Sequence, residues 1–353
     1  MSSLPTSFKI RHLEIAPATV LAPMEAITDA PFRAMIRSLG GCGLVVTEFI
    51  SAKQLSLQTS RALDLVNIQH DQHPVSVQIY GRDPNIMAES ARYCEGLGAD
   101  LLDINMGCPS KSVTSGCAGV ALMREPKLAH ELVRAVRKAI QIPLTVKMRL
   151  GWDHKNRNAV ALARIFQEEG VEAITVHGRT REDLYRGHAD WPRIGEVKAA
   201  VRIPVIGNGD ICTVQDALDV FRIAGVDGVM AGRGVVKNPW LLLQIGQTLR
   251  GEPVYQPTLR QRRDHLLDYY ALIQRQIPGI YALGKMKKVT GLFTDGLNFT
   301  AELRRSVLHA QTIREAEAAV SSFFEGLEAL EQQHGLDYFR IPPSSSEEIH
   351  ASG

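Results

Sequence analysis

The chain has 353 residues, of which 45% are hydrophobic, 22% charged and 6% aromatic, which excludes a disordered or fibrous polymer and allows a large buried core. The net charge of +2 is uninformative as a total, but its distribution is not. Residues 256–313 hold nine Lys/Arg against four Asp/Glu, and from Arg314 onward there are two against eight, so a basic block precedes an acidic end.

Met1–Ile10 lacks the apolar core of a signal peptide, and no apolar run approaches the roughly 18 residues of a membrane span. The five cysteines (42, 94, 108, 117 and 212) are odd in number, scattered, and contain no C-x-x-C pair. That argues against a disulfide framework or a common zinc site. The protein is expected to be cytoplasmic, metal-free and unattached to membrane; its oligomeric state is not written in the sequence, with a monomer the favoured reading.

Taken in chain order, short β-branched runs alternate with helical stretches. The predicted strands are Thr19–Met24, Leu44–Phe49, Val75–Tyr80, Leu101–Asn105, Leu144–Arg149, Ala173–His177, Pro204–Asn208 and Asp227–Gly232. Each is apolar at nearly every position, as in a parallel sheet covered on both faces. Amphipathic segments lie between them, among them Asn85–Leu97, Pro126–Ile140, Asn158–Glu169 and Val214–Ile223. Gly40, Gly98, Gly170 and Gly225 stand where C-caps belong. Eight such units in about 250 residues match a (β/α)8 TIM barrel. A doubly wound open sheet is the alternative, but no G-x-G-x-x-G follows the first strand.

The pattern changes after Gly251. Residues 1–251 form the barrel, 252–257 read as a linker, and 258–335 as a small all-α bundle. Its expected helices are Leu259–Gln276, Tyr281–Phe293, Ala301–His309 and Arg314–Gln333, joined at Pro278-Gly279 and Asp295-Gly296. Residues 336–353, with Pro342 to Ser346 of low complexity, read as a mobile tail.

Polar residues and glycines gather at one end of the strands, where barrel enzymes build active sites. Strand one ends in Ala22-Pro23-Met24, strand three holds Gln78, and strand four runs into Asn105-Met106-Gly107-Cys108-Pro109. Strand five gives Lys147-Met148-Arg149 and strand six His177-Gly178-Arg179-Thr180. Strands seven and eight end in Gly207-Asn208-Gly209-Asp210 and Ala231-Gly232-Arg233-Gly234. The last two clusters suit a phosphate, through backbone N–H groups and a paired contact from Arg233. Tight βα turns needing φ > 0 would also explain them.

Lys147 inside a barrel requires an acceptor. That acceptor is an anionic ligand or an acidic strand end such as Asp103 or Glu48. His177 reads either as a ligand contact or as a satisfied core histidine. Gly107 and Pro109 fix a turn that presents Cys108, whose thiol at an ordinary pKa of about 8.5 can act as an acid. A nucleophile would need a device to lower that pKa. Cys117, Cys42, Cys94 and Cys212 read as packing residues.

With these motifs in order and at these spacings, the chain resembles the FMN-dependent tRNA-dihydrouridine synthases of the bacterial type, from about Leu21 to Leu327. The resemblance implies an FMN-binding barrel and a helical domain that grips tRNA, with NADPH or NADH as reductant. It implies that Pro23, Met24 and Glu25 line the flavin and that Gln78, Lys147 and His177 contact its ring. Asn208, Gly209, Asp210, Gly232 and Arg233 would hold its phosphate side. Cys108 matches the proton donor, with Lys147 and His177 as further catalytic groups. Asn105, Arg149 and Arg179 would contact the substrate base. Lys285, Lys287, Lys288, Arg304 and Arg305 would form a basic stripe against RNA phosphates, although taken without the resemblance they read more readily as an ordinary solvated helix face. Glu25, Tyr80 and Cys117 depart from the family pattern. Two other functions compete: an FMN barrel reducing a free small molecule of dihydropyrimidine or dihydroorotate type, and a non-catalytic RNA-binding protein on a retained barrel.

Overall fold

A computed structural model of the protein describes residues 4–334. The expected mobile tail, 336–353, lies outside the described residues. The chain divides into two compact units, one running to Val235 and taking in Trp240–Val254, the other comprising Val236–Pro239 and the residues from Tyr255.

The first unit is a closed barrel of eight parallel strands, Thr19–Leu21, Leu44–Val46, Val75–Tyr80, Leu101–Met106, Leu144–Arg149, Ala173–His177, Val205–Asn208 and Gly228–Ala231, with helices between them. Strand eight closes on strand one through the pairs Val229 with Thr19 and Ala231 with Leu21. This is the TIM barrel that the alternation implied. A two-residue extension, Ile50–Ser51, runs beside Ile79–Tyr80. Almost every strand residue is buried, because one face meets the helices and the other fills the barrel.

Strands one and two are shorter than their apolar runs. Pro23 has no N–H to continue the ladder, and Met24 opens a turn held by Thr28 Oγ1, which accepts from the Met24 amide at 3.0 Å. In strand two the Thr47 hydroxyl is drawn aside, accepting from the Gln78 amide at 3.1 Å. Helix ends follow local capping. Asp29 caps Ala30–Leu39 with Pro31 in its first turn, and Gly225, at φ 62, ends Val214–Ala224. A hairpin, Phe8–Ile10 with Leu13–Ile15, precedes the barrel; its Phe8 ring fills the space that a side chain at Gly228 would occupy.

Register sets the barrel interior. Gln78 pairs with Asp103 and Asp103 with Thr145; Asn105 pairs with Lys147; Arg149 pairs with His177 and His177 with Asn208. Paired residues project to the same face, so these polar side chains stack inside the barrel toward its C-terminal end.

The second unit contains helices Leu259–Gln276, Gly279–Val289, Thr300–His309 and Ile313–His334, with a short 3-10 turn at Thr290–Phe293. Gly279 is the first residue of its helix rather than part of the joint, because Pro278 serves as the cap. Tyr269, Tyr270, Met286, Phe293, Val320 and Phe324 are fully buried, and Tyr270 shares a 2.7 Å hydrogen bond with Thr290.

Candidate active site

The C-terminal ends of strands one, five, six, seven and eight surround a cavity of about 570 Å3, part of it open to solvent. Among the residues expected to hold a cofactor, Pro23, Met24, Lys147, His177, Asn208, Gly209, Asp210, Gly232 and Arg233 line it, whereas Glu25 and Gln78 do not. Glu25 is exposed, and its charge bears instead on Cys108 and Tyr80. Gln78 is fully buried and its amide is spent within the barrel, as described below.

Lys147 Nζ donates to Asn208 Oδ1 at 3.1 Å, and Asn208 Nδ2 donates to the Met230 carbonyl at 2.8 Å. Among the described residues Lys147 has no ion pair, so the acidic strand ends do not neutralise it. The Asp103 carboxylate accepts from Gln78 and Thr145 instead, and burial raises its pKa to about 6. Burial and the nearby Arg149 guanidinium push Lys147 down to about 8, which leaves it mostly cationic at neutral pH.

His177 is not a satisfied core histidine. It is buried, it lines the cavity, and its Nε2 has no partner among the described residues. Burial, reinforced by Arg149 and Lys147, holds it well below its usual range, so the ring is neutral. A neutral imidazole with an open nitrogen beside a lysine cation calls for a ligand with a polar edge.

Cys108 lies outside the cavity lining, on the loop after strand four, within electrostatic reach of Lys147 and Arg149. A relay of amides fixes this loop. Asn105 Oδ1 accepts from the Gly107 and Cys108 amides at 3.1 and 2.9 Å. Asn105 Nδ2 donates to Gln78 Oε1 at 2.7 Å, and Gln78 Nε2 donates to Asp103 Oδ2 at 2.7 Å. Gly119, at φ 60, lets the far end of the loop fold back, since a Cβ there would stand 2.8 Å from the Cys108 carbonyl. Burial and the Glu25 charge raise the Cys108 thiol, which keeps it protonated at neutral pH.

The expected base contacts are differently employed. Asn105 is buried in the relay. Arg149 donates to the carbonyls of Gly107, Thr180 and Leu184 at 2.7–2.9 Å. Arg179, its side chain 1% exposed, forms a two-point pair with Asp210 at 2.8 and 2.7 Å and donates to the Arg186 and Gly187 carbonyls. These three side chains brace loops, because their polar groups are occupied by the protein itself. Asp210 also accepts from the Ala189 amide at 2.7 Å and from Arg233 at 3.2 Å. Arg233 is the half-exposed member of this group, with its guanidinium 5.0 Å from the Tyr185 ring centroid.

Tyr185, Ile211, Cys212 and Met230 are lining residues that the motifs did not reveal, and Cys212, like Cys117, is exposed rather than the packing residue expected; Tyr185 is the aromatic one among them. It comes from the irregular loop after strand six, and its ring lies 6.2 Å from His177 and 5.5 Å from the Arg149 guanidinium. An aromatic residue in a loop rich in Arg, Asp and Glu was the available signal.

In the helical unit the expected basic stripe divides. Ala282, Met286 and Val289 form the buried face of their helix, and 100° per residue places Lys285 and Lys288 on one flank of it and Lys287 on the other. Lys287 acts electrostatically on Glu315. Arg304 and Arg305 are exposed on Thr300–His309.

Among the described residues no group of three or more His, Cys, Asp or Glu is placed to hold a metal ion, and no helix is long and apolar enough to cross a membrane.

Residues 20–328 match the family model described as dihydrouridine synthase (Dus). A probable tRNA-dihydrouridine synthase of Rickettsia bellii is 40% identical over 301 residues, covering 85% of this chain and 92% of its own. A tRNA-dihydrouridine synthase B of Xanthomonas axonopodis pv. citri is 38% identical over 320 residues, covering 90% and 96%. The pseudomonad relative from Pseudomonas aeruginosa, also a tRNA-dihydrouridine synthase B, is 39% identical over 308 residues, covering 86% and 92%. With a match over most of its length, this chain belongs to the dihydrouridine synthase family and is an oxidoreductase.

Proposed function

We propose that this protein reduces uridines in tRNA to 5,6-dihydrouridine with FMN as its cofactor, NADPH or NADH as reductant, and Cys108 as proton donor. The tRNA substrate is supported by the names of the relatives, and the cofactor by the donor set of the cavity. The observation that carries the reading is the His177 Nε2, unpartnered among the described residues, beside the Lys147 cation, in a cavity that Gly209, Gly232 and Arg233 also line. The fit is tight at the glycines. A Cβ on Gly209 would come within 2.9 Å of His177, and one on Gly232 within 3.4 Å of Met24 Sδ.

Lys147 and His177 would hold the ring edge of FMN with Met24 beside them in the lining, and Arg233 with the backbone of Gly209 and Gly232 would take its phosphate. When bound, FMN supplies the hydride that is delivered to C6 of the uracil. Cys108 then gives the Sγ proton to C5, and the thiolate left behind regains a proton from water. Its raised pKa keeps the acid form filled at neutral pH. A uracil stacked in folded RNA cannot reach the mouth of a barrel, so the nucleotide leaves its stack. The barrel performs the chemistry, and the helical unit, through Lys285, Lys288, Arg304 and Arg305, holds RNA phosphates.

Cys108→Ala tests this reading. The variant retains flavin absorbance and the rate at which nicotinamide reduces flavin, while dihydrouridine formation falls by roughly 10²–10⁴. An unchanged yield of product rejects the donor role, and a colourless protein that refuses FMN rejects the cofactor.

A further inference from the structure

The barrel carries a second cluster of cations that the reaction at the cavity does not use. Three loops at the C-terminal end supply it. Arg124 closes the segment after strand four, which begins at Cys108; Trp152, Lys155 and Arg157 belong to the loop after strand five; Arg181 belongs to the loop after strand six. The guanidinium carbons of Arg124 and Arg181 stand 4.7 and 4.8 Å from the Trp152 ring centroid. Met123, Arg124, Trp152, Lys155 and Arg157 line an open groove of about 1130 Å3, in which Asp153 is the one acidic lining residue among those described.

The cluster is held in place independently of any ligand. The Arg181 amide donates to the Gly151 carbonyl at 3.0 Å, and the Glu182 amide to the Trp152 carbonyl at 3.0 Å, so backbone stitches loop six to loop five. Asp153 is turned to its own loop, accepting from the Lys155 and Asn156 amides and from the Asn156 side chain at 2.8–2.9 Å. Arg157 is partly engaged, with His154 at 2.5 Å and Asp190 at 3.8 Å.

Arg181, which is half-buried, differs from the other buried and half-buried arginines of the barrel, and Arg124 is exposed against the same indole. Arg33, Arg37, Arg137, Arg149 and Arg179 all spend their guanidinium on carbonyls or carboxylates. Among the described residues neither Arg124 nor Arg181 has a hydrogen-bond acceptor or an ion pair, and Arg181 Nε is buried without one. A guanidinium stacked on an indole is fixed in plane with its N–H edge free. The Arg124 edge lines the groove with Lys155 and Arg157, and Arg181 is stacked on the same indole, a grouping that fits the oxygens of phosphodiesters.

We propose that the Trp152 groove is a phosphodiester-binding surface that takes the RNA backbone flanking the nucleotide presented to Cys108. The proposal rests on the tRNA reading above and adds a binding surface to it. It favours RNA over an acidic protein because the loop that carries Cys108 at its start carries Arg124 at its end. A strand delivering its base to that thiol passes the same rim.

The test uses the full chain loaded with FMN, in wild-type form and as the double variant Arg124→Ala/Arg181→Ala. Binding of a tRNA transcript is measured from low to moderate salt, alongside the rate of flavin reduction by NADPH. Expected are a Kd roughly tenfold or more higher near 0.1 M salt and a log–log salt slope shallower by about 1.4–1.8, at some 0.7–0.9 for each of two lost phosphate contacts. KM for tRNA rises with kcat nearly unchanged, since the contacts are the same in ground and transition states. Flavin reduction stays at the wild-type rate, which shows that the barrel is intact. Trp152→Leu, which leaves both arginines but removes their platform, reproduces part of the loss. Wild-type affinity and slope in the double variant overturn the groove while leaving the tRNA reading in place. A wild-type protein that binds no tRNA at any salt overturns that reading and the groove with it. Loss of binding to a polyglutamate peptide with tRNA affinity retained would give the groove to an acidic protein and reject the proposal.

Discussion

Asn105 shows how a single side chain can fix the whole loop that carries Cys108. Its carbonyl oxygen takes both amides at the turn that presents Cys108, which forces its NH2 toward Gln78 and, in turn, the Gln78 NH2 toward Asp103. The polarity of the relay is set by backbone donors that cannot reverse, so the chain must end on an acceptor, and Asp103 is one. Asn105→Ala leaves two loop amides and the Gln78 oxygen without partners. Removing buried partners of this kind costs about 1–3 kcal/mol. Because the thiol then wanders from its line of approach, dihydrouridine formation should fall roughly tenfold or more. Flavin absorbance should be unaffected. Urea unfolding together with a product assay checks both, and full activity in a destabilised variant would show that the relay supports the fold alone.

At the scale of elements, Asp210 ties three βα loops to one carboxylate: Arg179 and Ala189 from loop six, Arg233 from loop eight, and its own loop seven. It holds φ 56, a conformation that asparagine tolerates, so Asp210→Asn removes the charge without straining the backbone. An Arg179 side chain that is 1% exposed then loses its ionic partner. The expected loss is about 2–4 kcal/mol, with weaker retention of FMN, read by thermal melting and by flavin released on dilution. Unchanged melting would mean that the carbonyls of Arg186 and Gly187 alone suffice for Arg179. Legibility in the sequence follows the same division. The eight strands are visible because both faces of each are covered, so most positions are apolar, and the polar residues toward their C-terminal ends stand out by contrast. What those residues do is less visible. Arg179 and Asp210 lie 31 positions apart, Gln78 and Asn105 27 apart, and only the register of the closed barrel brings them together. Tyr185 arrives on a loop with no period at all, and the strand one run overshoots because Pro23 ends the ladder without ending the hydrophobicity.

For the molecule as a whole, the cavity is a place where stability is given up for function. Lys147 has a pKa of about 8 in the folded protein against an ordinary value of 10.5, because burial and Arg149 disfavour its charge. Between those two pH values the unfolded chain holds more protons than the native one, so stability rises with pH across the window from about 8 to 10.5. Below pH 8 the full penalty is present. A shift of that size corresponds to about 3 kcal/mol, as an upper bound. Lys147→Met keeps the length of the side chain and removes the charge, at the cost of leaving Asn208 Oδ1 without its donor, about 1 kcal/mol. Protein freed of flavin should therefore be more stable in the variant by roughly 1–2 kcal/mol at pH 7, and the advantage should vanish or reverse near pH 10.5. Urea melts at the two pH values decide the matter. Equal stability at pH 7, or a gain that persists undiminished at pH 10.5, would show that Lys147 is already at ease in the empty barrel. Its charge would then need no ligand to explain its position.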